Sequence, residues 1–513
     1  MLGIALSVTI AALAGPPLGA PGPLVTVGPG ATENSIRQVV RTPEGRVYIA
    51  VADDEGLNTG PAATLRMYRA GQTGVPTSFA EADAAGAPRV TAGHTIGGGD
   101  ARLDRSGQIH VVFLRTDFDA VIHQTFSTLT DRWGPPETVT GVAGASRSSF
   151  GDRGRVVVGL ALDAEGTPFV AVTAGGSAKV YRRSGSDSWE AATVGSGDLH
   201  PSLSFDRAGR LHAAWLDEPS TIRYARRDAD GAWRATNSVV ATGVLENGNR
   251  DQGPALAVDA RNDPVVLYLT GIPGADDNYV RLRTLTDGSW VPDDPTPSVF
   301  AHTPGLYLRG DDRFLLLGHD AYPVAEPAYL SRAAGAPSWS DLHKLAPGQD
   351  LDGSGSARFD PLYDTDCNVL DSVYFDEDAG GFKPVAYYAA IRLPQQACQA
   401  GAAPAPGEGA ASPRLSRVRL STRRWRRGDR SVRLRFGLTA DAKVTLTIQR
   451  RGRSPSKLKV AGKKGSNVDR LGARPKVKRL ARGRYRLHLR ARTSAGVVSS
   501  AKAVRFTVLK PRA

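Results

Sequence analysis

The sequence predicts an all-β protein: a β-propeller of six or seven blades, with seven favoured, followed by a small basic β-sandwich. Three observations support this prediction: a turn-and-strand repeat along residues 31–398, a Pro/Gly/Ala-rich linker at 399–413, and alternating apolar and basic residues over 414–513. The chain has 513 residues, of which 41% are hydrophobic and 23% charged. This length and composition predict more than one folded domain and exclude a largely disordered chain.

The repeat consists of a polar turn followed by a run of β-branched and aromatic residues. Its clearest copy is Asp206-Arg-Ala-Gly-Arg-Leu-His-Ala-Ala-Trp215. Glycine or asparagine at the fourth place supplies the positive φ that a tight hairpin needs, and the spacing of the copies suits four-stranded blades of ~40–50 residues with insertions. Weaker units near 310–318 and 359–393 bring the count to seven. In the five clearer copies the turn residues are Gly45, Gly107, Gly166, Gly209 and Asn262.

The unit around residue 210 divides into four predicted strands at 201–205, 211–216, 221–226 and 233–239. The hairpin between its third and fourth strands contains the segment from Arg226 to Trp233.

In this hairpin the sequence resembles the BNR or Asp-box propellers of the sialidase superfamily, whose box reads S-x-D-x-G-x-T-W. Asp228 and Trp233 keep the box's Asp-to-Trp spacing, whereas Arg226, Asp230 and Ala232 replace its Ser, Gly and Thr. The resemblance implies a propeller over about three-quarters of the chain and assigns no activity. Tryptophans also follow short polar turns at Trp133, Trp189 and Trp290.

The N-terminus predicts export. Residues 1–20 combine an apolar stretch with Gly, Pro and small residues, as a secretory signal peptide does, and a buried first strand is the alternative. An oxidising compartment would let the only two cysteines, Cys367 and Cys398, form a disulfide. Beyond the N-terminus no apolar run approaches the ~20 residues that span a bilayer. We therefore expect a secreted or cell-surface protein without a transmembrane span in the mature chain.

Acidic residues recur in the loop after the second strand of the units. Strand order places these loops, and those entering the first strands, on the side of the ring opposite the Asp-Gly turns. Carboxylates there suit Ca²⁺ or sugar hydroxyls, and the alternative is that they are ordinary Asp-rich turns. The predicted ligand-binding mouth contains Asp54, Asp117, Asp217, Glu218, Asp276, Asp320, Asp376, Arg153 and Arg250.

The sequence assigns no catalytic residue. Paired carboxylates act as acid and base in glycoside hydrolysis when held at the right distance, which keeps a glycosidase open. Sialidases of the resembled superfamily need an arginine triad, a Tyr-Glu pair and usually an R-I-P motif, but R-I-P is missing and only Arg153 and Arg250 lie in suitable loops. Motifs for nucleotides, dinucleotides and zinc proteases are also missing. We expect no required cofactor, with Ca²⁺ possible at the mouth.

Two histidines, His110 and His212, occupy the same place in two units. We expect both to be buried or half-buried and bonded to the backbone, with catalysis as the alternative.

Residues 414–513 contain 32 basic and three acidic residues, a net charge of +29, whereas the preceding chain has a net charge of −15. Apolar and basic residues alternate here as in half-buried strands, and the pattern resembles the immunoglobulin-like or fibronectin-like modules of exported bacterial proteins. Such rows of charge suit an anionic cell-surface polymer, anionic lipid or acidic glycan. Nucleic acid is not an expected partner, because Trp425 is the single candidate for base stacking. The predicted anion-binding residues are Arg433, Arg435, Arg484, Arg486 and Arg490.

These observations predict a non-catalytic propeller that binds a carbohydrate or protein ligand and is anchored to an anionic surface by its basic domain. The alternative function is a sialidase-like glycoside hydrolase acting on extracellular glycans. For the basic rows, the alternative is that they only solvate their own domain and contact the acidic propeller.

Overall fold

The structure is a computed structural model in which the chain forms two compact units, residues 1–404 and 405–513. Among the residues that the structure describes, which are given next, no helix is long and apolar enough to span a membrane. The described residues are 19–30, 37–53, 63–91, 96–115, 120–139, 158–174, 176–185, 187–197, 199–217, 220–244, 254–271, 278–293, 302–321, 324–346, 351–356, 368–376, 385–394, 415–438, 441–450, 456–478, 480–492 and 502–510.

The first unit is built from antiparallel sheets that follow one another along the chain. Two short strands come first, β1 (Ala20–Pro21) and β2 (Val25–Pro29). Sheet 1 contains β3 (Arg37–Arg41), β4 (Arg46–Asp53), β5 (Thr64–Thr73) and β6 (Phe79–Glu81), and a 3₁₀ helix follows at Ala84–Gly86. Sheet 2 contains β7 (Ile96–Leu103), β8 (Gln108–Arg115), β9 (Ala120–Ser127), β10 (Arg132–Trp133) and β11 (Glu137–Thr138). Sheet 3 contains β12 (Val158–Leu162), β13 (Pro168–Ala174), β14 (Ser177–Gly185) and β15 (Ser188–Ser196).

The remaining sheets of this unit repeat the plan. Sheet 4 contains β16 (Leu199–Phe205), β17 (Leu211–Asp217), β18 (Thr221–Arg227) and β19 (Trp233–Ala241). Sheet 5 contains β20 (Ala255–Val258), β21 (Pro264–Gly271), β22 (Asn278–Thr286) and β23 (Ser289–Pro292). Sheet 6 contains β24 (His302–Arg309), β25 (Asp312–Ala321), β26 (Val324–Arg332) and β27 (His343–Lys344). Sheet 7 combines β28 (Asp352–Ser356), β29 (Val369–Asp376) and β30 (Val385–Arg392) with β1 and β2.

The sheets are arranged as a ring, the arrangement of a β-propeller. In sheets 1–6 the strands pair in sequence order, first with second, second with third and third with fourth, and in sheet 7 β1 and β2 pair with the third strand, β30. The first strands contact one another in order around the ring, β3 with β7, β7 with β12, and onward through β16, β20 and β24 to β28. Strand β28 in turn contacts β3, so the ring closes. Apolar side chains of neighbouring sheets pack together, as in the cluster that joins sheets 4, 5 and 6.

The repeat turns have the backbone geometry that the sequence predicted. All five turn residues have positive φ, from 67° at Asn262 to 83° at Gly45. The strands of sheet 4 also match the predicted strands to within two residues at each end. Both features depend on local sequence, which explains the agreement.

The N-terminal segment closes the ring by completing sheet 7. Strand β2 pairs with β30 and β1 pairs with the end of β30, so strands from opposite ends of the unit share one sheet. The Tyr329 hydroxyl donates to the Gly19 carbonyl at 3.0 Å, and the Tyr68 hydroxyl donates to the Pro29 carbonyl at 2.9 Å. The β structure of this unit therefore begins upstream of residue 31, where the sequence placed its start, and its first strand includes Ala20 from the segment assigned to the signal peptide.

A buried ion pair connects the first and last sheets. Arg41 of β3 donates from Nε and Nη2 to the two carboxylate oxygens of Asp371 in β29, at 2.8 and 2.6 Å. The Tyr388 hydroxyl donates to the same carboxylate at 2.5 Å, and Arg41 Nη1 donates to the carbonyls of Gly45 and Gly74. Both charged side chains are nearly inaccessible to water, and both are hydrogen-bonded. A buried ion pair is tolerated when its hydrogen bonds compensate for the lost hydration.

The second unit contains two sheets that share one apolar core. Phe436 from one sheet and Phe506 from the other belong to the same buried cluster, and Phe506 stacks on Trp425 at a ring-centroid distance of 4.4 Å. A 3₁₀ helix at Leu471–Ala473 and a short helix at Pro475–Lys478 connect the two sheets. The three-stranded sheet contains β31 (Leu415–Leu420), β33 (Leu434–Leu438) and β36 (Gly465–Asp469), and the five-stranded sheet contains β32 (Arg424–Arg426), β34 (Ala442–Gln449), β35 (Ser456–Gly462), β37 (Gly483–Arg492) and β38 (Lys502–Leu509).

We predict that Asp371→Asn lowers the free energy of unfolding by about 3–5 kcal/mol, because it leaves the buried Arg41 charge without its counter-ion. Urea unfolding of the full chain followed by tryptophan fluorescence measures the loss. Glu190→Gln is the control: it removes the carboxylate of an exposed pair with Arg182, for which we expect less than ~1 kcal/mol. Equal losses in the two variants would contradict a special role for ring closure.

We predict that Gly209→Ala destabilises the protein by about 1–2 kcal/mol and that Gly209→Asn costs less, because asparagine tolerates the left-handed region better. Gly209 has a φ of 76°, and its Cβ position is open space, so backbone strain is the single penalty. Asn262 already occupies the equivalent turn. Thermal unfolding compares the variants, and an alanine variant as stable as the wild type would refute the strain argument.

Candidate functional site

On one side of the ring, the aspartates of the repeat turns are bound by their own backbone. Asp163 Oδ1 accepts from the amides of Glu165 and Thr167 at 3.0 and 2.8 Å. Equivalent bonds occur at Asp104, Asp206 and Asp259. These carboxylates stabilise tight turns between first and second strands, so they serve the scaffold.

A chain of polar side chains lies buried between sheets 2 and 3. His110 Nδ1 is 3.0 Å from His123 Nε2, and His123 Nδ1 is 3.2 Å from Glu137 Oε2. Glu137 also accepts from Arg183 Nε of sheet 3 at 2.7 Å. Because Glu137 must accept, His123 donates from Nδ1 and receives the Nδ1 proton of His110 at Nε2. His110 Nε2 lies 3.5 Å from Asp104 Oδ2, and among the described residues it forms no hydrogen bond.

The titration behaviour of this chain follows from its burial and its charges. Burial lowers the pKa of His123 to about 4. The hydrogen bond from His123, together with the Arg183 guanidinium, lowers the pKa of Glu137 to about 2. At neutral pH the chain therefore contains a neutral His123 next to an ionised Glu137.

Sheet 4 contains a similar group around His212. Its Nδ1 lies 2.7 Å from the Tyr224 hydroxyl, and its Nε2 lies 3.3 Å from Asp206 Oδ2. Burial lowers the pKa of His212 and raises the pKa of Tyr224. Both predicted histidines are thus buried as expected, but the prediction of backbone partners was wrong: each is bonded to side chains from a neighbouring strand or turn.

The predicted mouth lies on the opposite side of the ring. Asp217, Asp320 and Asp376 lie at or next to the ends of second strands in sheets 4, 6 and 7, which the strand order places at one edge. Asp217 Oδ2 accepts from Arg223 Nε at 2.8 Å and from Ser196 Oγ at 3.1 Å. The other predicted mouth residues lie outside the described residues, namely Asp54, Asp117, Glu218, Asp276, Arg153 and Arg250, as do Cys367 and Cys398.

One acid near a predicted first-strand loop lies inside the scaffold. Asp100 is buried in β7, and its Oδ2 accepts from the Leu160 amide of sheet 3 at 3.1 Å and from Arg102 Nη2 at 2.9 Å. It links adjacent sheets. Within the described parts of the chain, no three His, Cys, Asp or Glu residues lie together in a way that could hold a metal ion.

The hairpin of the Asp-box-like segment lies on the turn side of sheet 4. Asp228 binds Arg226 Nε and Arg234 Nε at 2.8 and 2.6 Å, and the Gly231 amide donates to the Asp228 carbonyl. Trp233 begins β19 and packs against a buried cluster. These contacts hold the hairpin together and leave the Asp228 carboxylate occupied.

In the second unit, the structure separates the predicted anion-binding arginines into two groups. Arg484, Arg486 and Arg490 project from β37 of the five-stranded sheet and are exposed. Arg435 belongs to β33 of the three-stranded sheet, and Arg433 immediately precedes that strand. Trp425 is buried against Phe506, so it is not a surface for stacking bases.

Several residues in these networks were not recognised in the sequence. His123 lies diagonally across from His110 in the β8–β9 pair, so the hairpin register was the signal that would have found it. Glu137 and Arg183 come from different sheets, and no sequence spacing links them. Lys457 and Lys459 of β35 were also missed, although their alternation with apolar neighbours was a visible signal.

Comparisons with known proteins add no assignment. No family model matches the chain, and no curated protein matches it in sequence. Among solved structures it is similar to a lectin, BP39L from Burkholderia pseudomallei (10% identity, 70% of this chain and 96% of that chain, TM-score 0.49). It is also similar to a fungal alcohol oxidase of the AA5 family in complex with copper (14%, 96% and 100%, 0.45) and to a Penicillium chrysogenum α-L-arabinanase complexed with arabinobiose (10%, 72% and 98%, 0.37). At these levels the similarities assign no activity, substrate or cofactor to this chain.

We predict that the free energy of unfolding falls as the pH falls from 6.5 to about 4, by an amount on the order of 3 kcal/mol from His123 alone. The folded pKa is lowered, so in this range the unfolded chain binds a proton that folded His123 does not. His123→Gln keeps a donor and an acceptor but cannot titrate, and should flatten this dependence. Urea unfolding at several pH values measures it, and an unchanged slope in the variant would refute the assignment.

Proposed function

We propose that the seven sheets form a seven-bladed propeller that binds a carbohydrate or protein ligand without catalysis, and that the second unit is an immunoglobulin-like sandwich that attaches the protein to an anionic surface. In this proposal the protein is secreted or held at the cell surface, residues 367 and 398 form a disulfide, and Ca²⁺ is an optional ligand of the mouth.

The observation that carries the proposal is the difference between the two sides of the ring. On the turn side most connections are two to five residues long, for example 310–311 between β24 and β25, with longer ones at 333–342 and 357–368. The turn aspartates there are occupied by backbone amides. On the other side several connections are longer, as at 54–63, 242–254 and 377–384, whereas those at 175–176 and 322–323 are short. Binding residues concentrate on variable loops held by a rigid scaffold, so this second side is the better candidate for ligand binding.

Carbohydrate is the favoured ligand class because carboxylates accept hydrogen bonds from sugar hydroxyls. Asp217, Asp320 and Asp376 occupy the ends of strands in three sheets at one edge of the ring, and in this proposal their carboxylates bind the ligand. The alternative, a glycoside hydrolase, requires two carboxyl groups held ~5–5.5 Å or ~6.5–9.5 Å apart across the substrate. Because the sequence lacks the R-I-P motif and the full arginine set of sialidases, we propose binding without cleavage.

The test is a glycan-array screen of the full chain with and without Ca²⁺, followed by product analysis of each glycan that binds. We expect a bound, unaltered glycan whose affinity falls at least tenfold in the triple variant Asp217→Asn, Asp320→Asn, Asp376→Asn. A cleaved glycan would establish the hydrolase instead. Absence of binding to every glycan would reject the carbohydrate ligand in favour of a protein.

A charge-matched control separates the mouth from the rest of the acidic unit. Glu165→Gln, Glu190→Gln and Asp230→Asn remove three exposed acids from the turn side, and the same loss of negative charge should leave glycan affinity within about twofold. Equal effects of the two triple variants would contradict a ligand site at the mouth.

A further inference from the structure

One face of the five-stranded sheet in the second unit has exposed basic side chains on three of its strands. In β37 and β38, Tyr485, Leu487, Leu489, Val504 and Phe506 point into the core, so the alternate residues point outward. The outward set on β35, β37 and β38 contains Lys457, Lys459, Arg484, Arg486, Arg490 and Arg505, all exposed, and we call it the basic face.

The acids of this unit do not neutralise the basic face. The three acids of residues 414–513 are bound elsewhere: Asp429 to Ser431, Asp441 to Lys463, and Asp469 to Arg474. In the described part of the chain, none of the six basic residues forms an ion pair. Their charge is therefore available to a partner.

The strand register places like charges directly opposite each other. Arg486 of β37 is the register partner of Arg505 of β38, so their Cβ atoms are ~5 Å apart. Like charges in directly opposed positions destabilise a sheet unless an anion bridges them. A phosphate group suits this place because its several oxygens can accept paired N–H bonds from two guanidinium groups.

The spacing continues along β37. Arg484, Arg486 and Arg490 share one side of the strand, where alternate positions lie ~6.6–6.8 Å apart. His488 occupies the remaining position, and burial together with Arg486 and Arg490 lowers its pKa, so the face is charged at neutral pH by Arg and Lys. A row of fixed charges matches a linear polymer better than a single small anion.

The basic face contains no exposed aromatic ring. Trp425, Phe436, Tyr485 and Phe506 are all in the core. Stacking of nucleic-acid bases needs exposed rings, so this surface is suited to binding the charged backbone of a polymer and not to stacking on bases.

We propose that the basic face binds a linear phosphate polymer, lying along β37 with its phosphates between the strands, and that Arg433 and Arg435 are not part of this site. The inference rests on the proposed anchoring function and names its partner chemistry and its surface. The three-stranded sheet is the weaker candidate because its register pair of Arg419 and Arg435 lies next to exposed Val468.

The experiment measures binding of the full chain to long-chain inorganic polyphosphate as a function of salt. The triple variant Arg486→Gln, Arg490→Gln, Arg505→Gln should weaken binding more than tenfold in 0.1 M salt and reduce the slope of log K against log[salt] by about 2, as expected for three lost contacts to a single strand. The matched triple Arg419→Gln, Arg433→Gln, Arg435→Gln removes the same charge and should weaken binding less than threefold.

A third variant, Arg486→Lys, Arg490→Lys, Arg505→Lys, keeps the charge and removes the guanidinium forks, and should weaken binding several-fold with little change in the salt slope. It also keeps the test valid if the glutamine variant does not fold, which circular dichroism would show.

The outcomes separate the inference from the function on which it rests. Equal weakening by the two glutamine triples would overturn the basic face and leave anchoring by diffuse net charge. Tighter binding of the wild type to a carboxylate polymer such as polygalacturonate, or to single-stranded DNA, would overturn the phosphate-polymer assignment. No binding to any of these polyanions at 0.1 M salt would overturn both the inference and the anchor.

Discussion

The closure of the ring is the constraint on which the first unit depends. Six of the sheets are built from strands close together in sequence, whereas sheet 7 needs strands from both ends of the unit. The Arg41–Asp371 pair joins residues 330 positions apart, in the first and last sheets. Without this closure, sheets 1 and 7 would expose apolar faces and unpaired backbone groups. The buried charges are tolerated there because each is paired and hydrogen-bonded.

Polar groups on the turn side of the ring are used to hold the sheets and turns together. The His110–His123–Glu137–Arg183 chain crosses from sheet 2 to sheet 3, and the turn aspartates bind backbone amides. The residue types of these groups and their shifted pKa values are also typical of catalytic residues. Their contacts show that they serve as hydrogen-bond partners for buried polar atoms of the scaffold. We therefore expect the ligand site on the other side of the ring.

The second unit shows the opposite use of charge. Its basic residues on the five-stranded sheet lie opposite and beside one another with no acid between them, an arrangement that opposes folding through mutual repulsion. The apolar core around Trp425, Phe506 and Tyr485 supplies the stabilisation that permits it. An anionic partner would stabilise this surface, because binding reduces the electrostatic repulsion among its basic residues.

Local sequence was sufficient for much of this architecture. The turn residues from Gly45 to Asn262 and the four strands of sheet 4 were predictable because positive φ and period-two alternation are properties of short segments. Alternation also shows on which side of its own strand a residue lies, but not which sheet that strand joins, so Arg435 and Arg486 could not be separated. The Arg41–Asp371 pair, the partners of His110 and the placement of the N-terminal strands in sheet 7 depend on register and on contacts between distant segments, which exist only once the chain has folded.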